Sequence, residues 1–154
     1  MSPSASVLAV VAAPSRFTSD AATGAAAPAS PLGVLGEVTP RTRSLGVYVH
    51  APFCVKRCHY CAFNTAPFDA GAMERYVRAL TREIDLAGEV GWAASVMVHS
   101  VFVGGGTPSL LAPDDLASIL DRLRRRFQVT PDAEVTIECN PESVDAPKLA
   151  EYRR

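Results

Sequence analysis

Apolar positions along this chain follow two rhythms that take turns. In "LGVYVH" (45–50), Leu45, Val47 and Val49 fall on one side of an extended segment and Tyr48 and His50 on the other, the period-two pattern of a strand. After Asp69, a residue suited to cap a helix, Met73, Tyr76, Val77, Leu80, Ile84 and Ala87 recur at helical spacing and predict one buried stripe. "VMVHSVFV" (96–103) is a nearly continuous apolar run and predicts a strand covered on both faces, ending in Gly104-Gly105-Gly106-Thr107-Pro108. A second helix is expected with Pro113 in its first turn, Asp114 and Asp115 at its positive end, and Leu116, Ile119, Leu120, Leu123 and Phe127 on one face. "AEVTIEC" (133–139) alternates, with Val135, Ile137 and Cys139 on one side and Glu134, Thr136 and Glu138 on the other. Cys139 is accordingly expected in the core. A third helix is expected from near Ser143, with the chain stopping inside it.

The order β, α, β, α, β, α predicts a parallel sheet with right-handed crossovers. Residues 1–43 are rich in Ala, Ser, Pro and Gly, carry few charges and show no period, so a disordered extension is expected there, with the ordered domain over 44–154. Three strands do not close a barrel and the last would expose an edge, which predicts that the sequence is the N-terminal part of a longer protein.

Charge changes this picture little. Fifteen Lys plus Arg stand against sixteen Asp plus Glu, a net charge of -1, which argues against a general attraction to nucleic acid or an anionic membrane. Arg124, Arg125 and Arg126 end a predicted helix, where cations complement the helix dipole. No stretch approaches the ~18 apolar residues of a membrane span. "SVLAVVAAP" (6–14) is short and has no basic residue before it, and only Arg16 interrupts the first forty residues. Neither a secretory signal nor a mitochondrial transit peptide fits, so a cytoplasmic location is expected.

Cysteine usage is more informative. Cys54, Cys58 and Cys61 form a C-x3-C-x2-C array within "HAPFCVKRCHYCAFN" (50–64), while Cys139 stands apart. That distribution fits a metal site and not a disulfide framework. Three thiolates on a cubane iron-sulfur cluster leave one of its four irons open to a substrate, and Lys56 and Arg57 between the ligands would offset negative charge. The competing reading is a zinc-stabilised interaction module, its metal completed by His59, His50 or Cys139. "VFVGGGTPSLL" places a glycine-rich turn after a strand, either as a tight turn or as a loop that lets a ligand approach the backbone. It fails as a dinucleotide fingerprint, because Ser109 stands where a third Gly or Ala belongs. Glu138 closes the last strand, on its polar face, where parallel barrels build their sites.

Taken together, "GVYVHAPFCVKRCHYCAFNT", "VFVGGGTPSLL" and "EVTIECNPES" resemble the radical S-adenosylmethionine (SAM) superfamily, and within it the coproporphyrinogen dehydrogenase-like branch, over about residues 45–154. The resemblance implies the N-terminal part of a partial (β/α)6 TIM-like barrel. Oxygen-independent coproporphyrinogen III dehydrogenases carry a further cysteine where this chain has Phe63, as the heme chaperones of the HemW type do. Ala62 also departs from the Asp of many relatives. The implied function is therefore a heme chaperone that retains a 4Fe-4S cluster and a SAM pocket, receives electrons from a donor, and passes heme to acceptor proteins. The dehydrogenase is the alternative. Carried over, Cys54, Cys58 and Cys61 ligate three irons and SAM chelates the fourth. Tyr48 and Tyr60 line the SAM site, Gly105, Gly106 and Thr107 meet its methionyl part, and Glu138 fixes it by a charge-assisted hydrogen bond. No catalytic side chain beyond these is implied.

Overall fold

The structure, a computed structural model, describes residues 43–154 and the backbone of Ser6–Val10. In chain order its elements are β1 (Ser6–Val10), β2 (Ser44–Ala51), β3 (Phe53–Cys54), β4 (Ala66–Pro67), α1 (Ala70–Ala87), β5 (Met97–Gly105), α2 (Pro113–Arg126), β6 (Gln128–Ile137) and α3 (Ala146–Tyr152). Four strands form one sheet in the order β1-β2-β5-β6, and each neighbouring pair is parallel. The α/β class with a parallel sheet is thus as expected. β1 falls in the segment expected to be a disordered extension, where it pairs with β2 from Ser6 opposite Leu45 to Val10 opposite Val49. The remainder of that expected extension lies outside the described residues.

The two long helices form where their stripes placed them. Asp69 caps α1, its carboxylate accepting from the Ala72 amide at 2.7 Å, and Met73, Tyr76, Val77, Leu80, Ile84 and Ala87 are all buried. α2 buries Leu116, Ile119 and Leu123, with Phe127 buried at its end. Both pack with the buried side of β2, whose alternation of Leu45, Val47, Val49 and Ala51 inward is complete. Gly88 lets the ends of the helices meet, since a Cβ there would lie 2.8 Å from Arg126 Cβ. Next to it Asp85 accepts from Arg126 Nε at 2.6 Å and faces Arg122 Nη1 at 3.3 Å. Arg126 thereby ties α2 to α1, a contact beyond the dipole role expected of it.

Three expectations need correction. β5 is not covered on both faces: Val98, Val101 and Val103 are buried, but Met97 and Phe102 are 42% and 39% exposed and His99 and Ser100 face solvent. Among the described residues both long helices bury one side of the sheet, and the other side stays open. β6 begins at Gln128, before the alternating segment, because its register jumps from Val98↔Val129 to Ser100↔Glu134 and Thr130–Ala133 bulge out around Pro131, which has no amide to donate. It ends at Ile137, so Cys139 lies past the sheet and is exposed, not a core residue. The third helix starts at Ala146, capped by Asp145, while Ser143 ends a separate 3-10 turn (Pro141–Ser143).

α3 is docked chiefly through Tyr152, whose hydroxyl donates to Leu111 O at 2.6 Å. Burial, helped by the negative charge that Cys139 can carry, pushes the Tyr152 phenol up to about 12. Because the folded-state value lies above the ordinary one near 10, the neutral form stabilises docking fully below about pH 10 and that contribution disappears as pH rises through about 12. Amide exchange of α3 should accelerate over that range, and the acceleration should be weaker in Tyr152→Phe. An unchanged pH profile in Tyr152→Phe would rule this phenol out as its source.

Candidate functional site

The site is built where β2, β5 and β6 end. After Ala51 the chain makes the short strand β3, which pairs in parallel with β4, Phe53 opposite Ala66 and Cys54 opposite Pro67. This pairing, with Ala66 N donating to Pro52 O at 2.8 Å, pinches residues 55–65 into a closed loop carrying Cys58 and Cys61. Phe53 is buried edge-on against Tyr76 with ring centroids 5.7 Å apart, and the Tyr76 hydroxyl donates to His50 O at 2.5 Å. Helix α1 therefore fixes both the end of β2 and the root of the loop.

His50 holds the loop's far side. A carbonyl can only accept, so Nε2 donates to Asn64 O at 2.9 Å, and in the neutral ring Nδ1 accepts from the Tyr48 hydroxyl at 3.0 Å. With both ring nitrogens engaged, His50 serves the loop's anchorage, not the zinc site for which it was a candidate. Burial, and then the Glu138 carboxylate, raise the Tyr48 phenol above its ordinary value, so it stays protonated.

The three array cysteines are free thiols on this loop, Cys58 exposed and Cys54 and Cys61 half-buried. A turn joins them, with Cys61 N donating to Cys58 O at 3.1 Å and Arg57 Nη2 donating to Cys61 O at 3.2 Å. Among the described residues no three His, Cys, Asp or Glu side chains converge as a single metal ion requires. A four-iron cluster asks instead for one thiolate at each of several corners, and three unpaired thiols on a solvent-facing loop fit that donor set.

The glycine turn packs directly on the cysteine loop. Gly106 N donates to Ala51 O at 2.9 Å and Thr107 N to Phe53 O at 2.8 Å. A Cβ on Gly106 would lie 2.7 Å from Phe53 O and 2.8 Å from Cys54 Sγ, so glycine keeps the space beside this sulfur open. Gly104 sits between the Tyr48 ring and Glu138, whose Oε2 would be 3.1 Å from a Cβ there. Glu138 itself is exposed and is held in register by its amide, which donates to Val103 O at 3.0 Å.

The candidate SAM residues thus fall into two neighbouring groups. Tyr48 and Glu138 flank Gly104 on the open side of the sheet. Tyr60, 90% exposed, and Thr107 line a cleft of about 630 Å³ shared with Cys58, Lys56, Arg57, Asn140 and Lys148. Gly105 and Gly106 lie between, committed to the loop contact. Phe63 is 66% exposed on the same loop. Sequence reasoning missed Ser109, which is fully buried and joins the glycine turn to the end of β6. Its only signal was that it spoiled a dinucleotide fingerprint.

A parallel sheet whose strand ends carry a three-thiol loop, a triple-glycine turn and a carboxylate is the arrangement of a radical SAM domain. The chain belongs to the Radical SAM superfamily, whose family model matches residues 48–154. It is 50% identical over 101 residues to the heme chaperone HemW of Mycobacterium tuberculosis, an alignment covering 64% of this chain and 25% of the relative. With HemW of Escherichia coli K12 the identity is 38% over 111 residues, covering 71% and 29%. With anaerobilin synthase of Escherichia coli O157:H7 it is 40% over 111 residues, covering 72% and 24%. The fold matches the solved structure described as coproporphyrinogen III oxidase (HemN) from Escherichia coli, a radical SAM enzyme, with a TM-score of 0.69 and 30% identity over 79% of this chain and 28% of that one. The chain spans about a quarter of the length of the curated relatives it matches. Among the described residues no helix is long and apolar enough to cross a membrane.

Proposed function

We propose that this protein is a heme chaperone of the radical SAM superfamily, working in the cytoplasm and passing heme to acceptor proteins. Cys54, Cys58 and Cys61 hold a 4Fe-4S cluster, and SAM binds at the iron they leave open. The observation that carries the reading is the exposed loop "CVKRCHYCAF", three free thiols followed by Phe63. Relatives named heme chaperone HemW support it.

In this reading Glu138 accepts a charge-assisted hydrogen bond from SAM, and the protonated Tyr48 beside it adds no second negative charge. Gly105, Gly106 and Thr107 offer backbone groups to the methionyl part, Tyr60 covers the ligand, and Lys56 and Arg57 offset thiolate charge. When bound, the cluster supplies the electron, taken from an external donor, that cleavage of the SAM sulfonium requires.

A second reading, oxygen-independent coproporphyrinogen III dehydrogenase, draws on the likeness to the solved HemN structure. The intact protein, reconstituted anaerobically, separates the two. Heme binding by absorbance titration, cluster absorption, and no decarboxylation of coproporphyrinogen are expected. Efficient decarboxylation would favour the dehydrogenase, and stoichiometric zinc without iron or sulfide would overturn both.

A further inference from the structure

Ser109 is fully buried, yet neither cluster nor SAM chemistry uses it. Its Oγ accepts the Asn140 amide at 3.0 Å and lies 2.5 Å from Ser143 Oγ. Ser143 Oγ donates to Asn140 O at 2.9 Å. A hydroxyl has one proton to give, so Ser143 spends its own on Asn140 and the Ser109 proton must go to Ser143. The ring then closes: Asn140 N–H to Ser109, Ser109 O–H to Ser143, Ser143 O–H to Asn140 O. Every donor is used once. Outside the ring, Ser109 O accepts from Lys148 Nζ at 2.7 Å, and Lys148 reaches Ser143 O at 3.3 Å.

This ring grips both backbone polar groups of Asn140, two positions after Glu138, from a residue two positions after Thr107. We propose that the Ser109–Asn140–Ser143 ring is a positioning device that sets Glu138 against the Gly105–Thr107 turn, so that SAM meets both at once. The proposal rests on the SAM contacts assigned above. Ser109 and Ser143 touch neither the thiols nor SAM and act through the two segments they join.

The test compares SAM affinity with cluster content in the intact, reconstituted protein. Ser109→Ala nearly conserves volume but leaves a buried amide unpaired, so SAM binding should weaken about tenfold with iron and sulfide unchanged. Ser143→Ala, at a half-buried position, should weaken binding in the same direction, and Ser143→Thr, which keeps the hydroxyl, should restore it. Amide exchange at Asn140, read without SAM, should accelerate in both alanine variants. If Ser109→Ala fails to fold, the Ser143 pair decides alone. Parent-like SAM affinity in the alanine variants overturns the proposal, whether or not exchange accelerates. A parent protein that binds no SAM while Asn140 stays protected defeats the functional reading and this inference with it, an outcome distinct from ring failure.

Discussion

Cys58→Ala should leave the anaerobically reconstituted protein essentially without iron and sulfide, against about four irons per chain for the parent. Each array thiolate carries one iron, and no other sulfur is placed to substitute. Cys139 lies past the end of β6, where its Sγ contacts only Ile137 O, at 3.8 Å. Cys139→Ala should therefore keep the parent's cluster, which makes it the matched control. Loss of the cluster should not unfold the domain. Cys58 is exposed on a loop pinched off by β3 and β4, and the core around Leu80, Ile84 and Val103 does not involve it. Iron and sulfide analysis with circular dichroism reads both quantities. A Cys58→Ala protein with full iron content would exclude the array as the ligand set, and so would loss of iron in Cys139→Ala.

The parts of this molecule that were legible in advance are those fixed by local repetition. Helix α1 buries the residues its period named, because a helix must turn one stripe toward a sheet and the stripe is written at three- and four-residue intervals. The alternation of β2 was readable for the same reason. The sidedness of β5 was not, because an apolar run does not say which face a helix will cover, and Phe102 proved to lie on the open one. Cys139 was misplaced because alternation predicts a face only while the strand lasts, and hydrogen bonding ends it at Ile137. β1 was missed because a short apolar run far from its partner carries no sign of pairing, although its backbone lies in register with β2. In the site, the cysteine spacing is local and was visible at once. The role of Ser109 depends on Asn140 and Ser143, distant in sequence, and no local pattern encodes it.

The second large effect is expected at Gly105. Its φ is +120°, in the region that L side chains avoid, and a Cβ there would stand 2.8 Å from Ala51 O and 3.0 Å from His50 Nδ1. Holding a non-glycine residue in such a conformation costs about 1–3 kcal/mol. Forcing an added methyl against fixed backbone costs about 1–3 kcal/mol more. Gly105→Ala should therefore destabilise by ~2–6 kcal/mol, a large share of the ~5–15 kcal/mol that holds a domain folded. The chain has few ways to relax. Moving Ala51 would break the bond from Gly106 N at 2.9 Å, and moving His50 would release both Tyr48 and the Asn64 end of the cysteine loop. The damage should thus reach the site: a variant still folded at low temperature should hold less cluster and bind SAM more weakly than the parent. Gly91→Ala is the control, since a Cβ there meets nothing within 4 Å and no unusual φ is involved, and its urea midpoint should match or slightly exceed the parent's. Equal urea midpoints for Gly105→Ala and Gly91→Ala would mean that the glycine turn yields freely. The close contact between the turn and the cysteine loop would then not be what holds the two halves of the site together.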